Sequence, residues 1–170
     1  TSGSSQGYDG SRLAAENGVI VIATNYRVGP FGWFHHPSIV PEGGSGHFAL
    51  YDLMAALEWV RRNAANFGGD PLNITIFGES AGAQNVLALY MAPAAEDLFD
   101  KAIVQSGGFW NMNPGQATNT VSGDPPGTPA SATEIVIDLL LGEGRVQTRE
   151  AGAELAGHDE GIGDWLRQLP

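Results

Sequence analysis

The pentad Gly78-Glu79-Ser80-Ala81-Gly82 constrains this chain more than any other feature, because it follows the apolar run Ile74-Thr75-Ile76-Phe77 directly. With 24 glycines and ten serines in 170 residues, roughly 0.2 such pentads are expected by chance, so the pattern alone says little. Its setting says more. Asn73 to Phe77 reads as a short buried strand rich in β-branched residues. Ala81 to Met91 reads as a helix with apolar bulk at Val86, Leu87, Leu89, Tyr90 and Met91, stopped by Pro93. A strand that passes through Gly-x-Ser-x-Gly into a helix presents the serine hydroxyl on a strained turn, with both flanking positions expected to be too tight for a side chain. Ser80 is therefore the candidate nucleophile of an acyl-transfer reaction. The plainer reading is an ordinary exposed serine in a glycine-rich turn.

Alternation of strands and helices predicts an α/β fold with a parallel sheet. Val19-Ile20-Val21-Ile22-Ala23 suits a strand buried on both faces, and Ala102 to Gln105 is a further strand candidate. Leu50 to Ala64 is the clearest helix, with Leu50, Leu53, Met54, Leu57, Val60 and Ala64 on one face and Arg61 and Arg62 near its C-terminal end. Arg12 to Asn17, closed by Gly18, is a short helix. Ser131 to Leu141 is another, with Ser131 and Thr133 as candidate caps; Gln147 to Ala156 and Ile162 to Leu169 are weaker. Residues 107–130 lack periodicity and read as a long loop within a single partial domain spanning 1–170.

The net charge of −11, from 8 basic and 19 acidic residues, argues against nucleic-acid binding, since such a surface repels phosphates. Without cysteine, disulfides, thiolate metal sites and a cysteine nucleophile are excluded. No apolar run approaches membrane-spanning length. Thr1 is no initiator methionine, and Pro170 follows Leu166-Arg167-Gln168-Leu169 without a polar tail, so the chain reads as a piece of a longer one. Compartment and oligomeric state stay open.

Several segments together resemble the type-B carboxylesterases, the cholinesterase-like branch of the α/β-hydrolases. They are Tyr8-Asp9-Gly10, Asn25-Tyr26-Arg27-Val28-Gly29 with Phe31-Gly32, Asp52 with Ala55-Ala56-Leu57-Glu58-Trp59-Val60, Asn66-Phe67-Gly68-Gly69-Asp70-Pro71, Thr75 to Gly82, and Gln105-Ser106-Gly107. Six segments in register over residues 1 to about 110 do not recur by accident. Within them, His47, Ala49 and Leu53 depart from the family's usual Gly-Asn-x-Gly-Leu-x-Asp-Gln.

The resemblance implies an α/β-hydrolase fold, incomplete here, and hydrolysis of a small-molecule carboxylic ester through an acyl-serine, with no cofactor and no metal. It implies that the Ala81 backbone N–H donates to the oxyanion, while a His-Gly-Gly segment supplying the other donors precedes Thr1. It also implies that the triad acid and histidine lie beyond Pro170, which would leave the isolated chain nearly inert. Gly78 and Gly82 shape the turn. Glu79 is a supporting residue or simply a packed carboxylate, and Ser106 either hydrogen-bonds behind the triad or is a plain turn serine. Alternatives are a non-catalytic adhesion module of the same family, or an amidase, lactonase or thioesterase.

Four histidines occur. His35, His36 and His47 precede Ser80, against the fold's order of serine, acid, histidine, and His158 reads as a helix-end residue. Arg27, Asp52 and Asp70 are expected to hold loops and helix ends. Trp33, Phe34, Phe109 and Trp110 are candidate linings of an apolar ester pocket.

Overall fold

The computed structural model describes residues 6–40, 44–108, 113–158 and 161–169; Phe109 and Trp110 lie outside them. The described chain divides into two compact units, one comprising residues 6–28 and 48–108, the other 29–40, 44–47, 113–158 and 161–169.

In the first unit a short helix, α1 (Ser11–Asn17), ends as expected at Gly18, whose φ of 62° supplies the left-handed residue that closes a helix. The main helix, α2 (Phe48–Asn63), continues into a 3₁₀ turn at Ala64–Phe67. Two parallel strands follow, β1 (Thr75–Glu79) and β2 (Lys101–Gln105), joined through helix α3 (Ala81–Met91). Their register is unbroken, Thr75 facing Lys101 and Glu79 facing Gln105. The helical periodicity of α2 does what it predicts. Leu50, Leu53, Met54 and Leu57 pack with Leu89 of α3 and Ile76 of β1 into one apolar cluster. β1 begins two residues later than the expected start at Asn73, and it includes Gly78 and Glu79 because the ladder to β2 continues to the very edge of the turn.

Val19 to Ala23 does not form the expected strand. Val19, Ile20 and Ile22 are 47%, 47% and 44% exposed, and the only sheet among the described residues is β1–β2. An apolar run supplies side chains to bury, but it becomes a strand only when a neighbour satisfies its amides and carbonyls, and none of the described segments does so.

The second unit contains α4 (Pro114–Thr118), α5 (Ala132–Gly142), α6 (Arg149–Gly157) and α7 (Ile162–Gln168). Val136, Ile137 and Leu140 of α5 pack against Ala156 and Ile162 and form its core. Ser131 caps α5 by accepting from the Glu134 amide, and Thr148 caps α6. Within the expected loop 107–130, the described residues from 113 onward are not structureless: Asn113 and Gln116 form a reciprocal capping box at the start of α4. Ser131 Oγ donates to the Asn119 carbonyl at 2.6 Å. The buried carboxylate of Glu134 accepts from the Val121 amide at 2.8 Å and pairs with Arg149. These bonds fix the stretch after α4 onto α5.

Among the described residues no helix is long and apolar enough to cross a membrane.

Candidate active site

Ser80 separates β1 from α3 and is exposed. Its backbone, at φ 54° and ψ −116°, occupies a region that non-glycine residues enter at a cost of about 1–3 kcal/mol. Two hydrogen bonds hold it there. The Ser80 amide donates to Gln105 O at 3.0 Å, extending the strand ladder, and the Gln84 amide donates to Ser80 O at 3.1 Å, opening the helix. One residue thus serves as the last rung of the sheet and the N-cap of α3. Its side chain makes no capping hydrogen bond. The amides of Ala81 and Gly82 precede the first helical bond and stand at the positive end of the helix.

The two glycines of the pentad differ. A Cβ on Gly78 would lie 2.4 Å from both the carbonyl carbon and the oxygen of Gly82, so strand and helix approach too closely for a side chain there. At Gly82 the expectation of a tight fit fails: a Cβ would meet nothing within 4 Å. The closeness is one-sided because Gly78 faces the first turn of the helix, whereas the corresponding direction from Gly82 points off it.

Ser106 follows β2 as Ser80 follows β1, and it too has positive φ, 53°. Register therefore brings Gly78, Glu79, Ser80, Ala81, Gly82 and Ser106 to one edge of the sheet. Glu79 is exposed, the last residue of β1, opposite Gln105.

Arg27 and Asp52 hold the loop before the site as expected. Arg27 Nη2 donates to Asp52 Oδ1 at 2.7 Å, Nε donates to Oδ2 at 2.9 Å, and the Arg27 backbone amide donates to Oδ2 at 2.9 Å. The guanidinium also lies over the Phe48 ring. Its hydrogen bonds hold the Asp52 carboxyl below the ordinary aspartate range. Asp70 accepts from the Leu72 amide within its own turn.

Sequence reasoning missed a clamp at the opposite end of the strands. The Ile74 amide donates to Asp100 Oδ2 at 2.8 Å and holds that carboxyl below its ordinary value, aided by Arg61. Arg61 Nη1 donates to Pro71 O at 3.0 Å, and Nη2 lies 3.6 Å from Asp100. Arg61 sits where helix-dipole logic places a cation, and nothing in its local pattern discloses the longer reach.

In the second unit His36 is buried, its Nδ1 2.7 Å from Ser38 Oγ and its ring stacked on Phe34. Phe34 itself packs on the α5 core rather than standing free. His47 lies beside Trp33; burial, with a smaller contribution from His35, pushes its imidazole below the ordinary histidine value. His158 is exposed at the C-terminal end of α6, as expected.

A strand, a strained serine, a helix N-terminus and a neighbouring parallel strand meet at this edge. Comparison with known proteins gives the family. Residues 1–121 match the model of the carboxylesterase family. The para-nitrobenzyl esterase of Bacillus subtilis (strain 168) is 52% identical over 118 residues, which is 69% of this chain and 24% of that protein. The liver carboxylesterase of Sus scrofa is 49% identical over 100 residues, 59% of this chain and 17% of that protein. A solved thermophilic PNB esterase structure superposes with a TM-score of 0.67 at 39% identity, covering 98% of this chain and 32% of that one. The chain belongs to the carboxylesterase family and carries part of an α/β-hydrolase fold. It spans about a quarter or less of the length of the two relatives named.

Proposed function

We propose that this chain is the nucleophile-bearing part of a carboxylic-ester hydrolase that works through an acyl-serine intermediate. The observation that carries the reading is the backbone of Ser80: a non-glycine residue held at φ 54° between strand and helix, exposed, with its hydroxyl not engaged as a cap. Such strain persists only where surrounding structure over-determines it, and it gathers at sites of function. The family membership and the esterase names of the relatives support the substrate class.

In this reading a histidine from the remainder of the full-length protein takes the Ser80 proton as Oγ attacks the ester carbonyl carbon. The carbonyl π-electrons move onto oxygen, and the Ala81 N–H donates to the resulting oxyanion, aided by the helix dipole. Collapse breaks the bond to the alkoxy group, which leaves as the alcohol with the histidine's proton. Water, deprotonated by the same histidine, then attacks the acyl-serine; release of the acid returns the proton to Oγ. Ser106 supports the edge beside the nucleophile, and Glu79 stands next to it.

The test is to treat the full-length protein with a fluorophosphonate and map the modified residue. Label on Ser80, with loss of ester hydrolysis in Ser80→Ala, is expected. Label elsewhere, or an active Ser80→Ala variant, defeats the proposal.

A further inference from the structure

We propose that Gly107 is a positioning residue for the nucleophile, a third glycine of the turn supplied by the neighbouring strand 27 positions after Ser80. The inference rests on the acyl-serine reading of Ser80. A Cβ placed on Gly107 would lie 2.5 Å from the Cβ of Ala83, 3.0 Å from Val104 Cγ1 and 3.3 Å from the Ala83 carbonyl carbon. Ala83 stands in the first turn of α3 and is fully buried, so its methyl has no open side to move into. It is also the rigid stub of a helix rather than the far end of a flexible chain. Carbon atoms pack at about 3.5–4.0 Å, and an alanine at 107 would therefore push the first turn of α3 by about 1 Å.

That turn is seated at two points. From β1, Gly78 meets the carbonyl of Gly82 and lies 2.9 Å, measured from its absent Cβ, from the Ala83 amide. From β2, Ser106 turns through its positive φ and brings Gly107 against the Ala83 methyl. One point of contact leaves a helix free to pivot; two, from adjacent strands, fix where its N-terminus stands. The Ala81 amide and the Ser80 hydroxyl are carried by that N-terminus. Gly107 touches neither and acts on both through Ala83. The φ of Gly107 lies outside the left-handed region, so the need for glycine here is steric closeness, not backbone freedom.

The experiment uses the full-length protein and a short-chain aryl ester. Gly107→Ala is expected to lower kcat by about 10²-fold, the scale of a misplacement near 1 Å, with KM changed by less than about twofold. Adding Ala83→Gly removes the methyl it strikes, and the double variant is expected to return to within about threefold of Ala83→Gly alone. Wild-type kcat in Gly107→Ala overturns the inference. So does a double variant no better than Gly107→Ala, whether that single variant is folded or not, since the collision would then not be the cause. Ser80→Ala and fluorophosphonate labelling run alongside. An active Ser80→Ala defeats the acyl-serine reading itself, whereas an inactive Ser80→Ala beside an unaffected Gly107→Ala defeats only the role of Gly107.

Discussion

Ser80 and Ser106 stand level with each other at the edge of the sheet: each follows the last residue of its strand, Glu79 opposite Gln105, and each turns with positive φ, 54° and 53°. Two adjacent parallel strands thus leave the sheet through the same uncommon backbone sign, at residues that are not glycine. The amide of the first is tied to the second strand through Gln105 O. The backbone of Ser80 is held by this shared edge, rather than by the pentad alone.

The strain at Ser80 yields a stability prediction independent of chemistry. Ser80→Ala keeps the β-carbon and the strain, whereas Ser80→Gly removes both. Relief of about 1–3 kcal/mol in the folded state is offset by about 0.4–1 kcal/mol of extra freedom in the unfolded chain. Ser80→Gly in the full-length protein is expected to exceed Ser80→Ala in stability by about 1 kcal/mol, read by urea denaturation, while both lose ester hydrolysis. A Ser80→Gly variant less stable than Ser80→Ala would mean that the turn is not strained, since only the added freedom of the unfolded chain would then remain.

The turn at Ser80 is legible because its logic is local: the apolar run, the pentad and the helix ended by Pro93 are contiguous, and α3 spans the expected Ala81–Met91. Helix α2 was legible for the same reason. What the sequence did not disclose depends on partners far along the chain. Val19 to Ala23 has the composition of a buried strand but lacks a described neighbour. Arg61 looks like a helix-end cation until Pro71 and Asp100 are brought to it. The capping box at α4 has a local signature too: Asn113, Pro114 and Gln116 stand at the N-cap, first and third helical positions. The one-sided closeness at Gly78 was not readable, because Gly-x-Ser-x-Gly is symmetric as text and the turn is not.

Gly78→Ala tests that asymmetry. Its Cβ would strike backbone atoms of Gly82 at 2.4 Å, which cannot swing aside as a side-chain tip could. Strand and helix must separate, at about 1–3 kcal/mol for overpacking. The full-length variant is expected to melt lower and to lose at least about 10²-fold in kcat through displacement of Ser80. Thermal denaturation and steady-state kinetics read the two effects separately, and an unchanged kcat would contradict the geometry.

The core of the second unit gives a graded expectation. Leu140 is fully buried among Val136, Ile137, Ala156 and Ile162. Leu140→Ala leaves a cavity and is expected to cost about 2–5 kcal/mol, whereas Ile137→Val, which deletes one methylene, costs about 0.5–1.5 kcal/mol. Denaturant titration of the full-length variants measures both, and the ordering is the check. Near-equal costs would mean that this helix face is not packed as described.

The Arg27–Asp52 pair predicts a dependence on acid. Hydrogen bonds from the guanidinium hold the Asp52 carboxyl below its ordinary value, so in the acid range the folded state binds fewer protons than the unfolded chain. Its stabilising contribution is complete above about pH 4, the ordinary aspartate value, and is lost as pH falls through the lowered value in the folded state. Arg27 is half exposed, which keeps the contribution small and lets salt screen it. Asp52→Asn in the full-length protein is therefore expected to melt slightly below the parent at about pH 7. The difference should narrow as pH drops below about 4, because the parent then loses the same charge. Melting temperatures across that range for both proteins, repeated at high salt, make the comparison. A gap that stays constant through the acid range would show that Asp52 contributes through its hydrogen-bonded shape, with no net benefit from its charge.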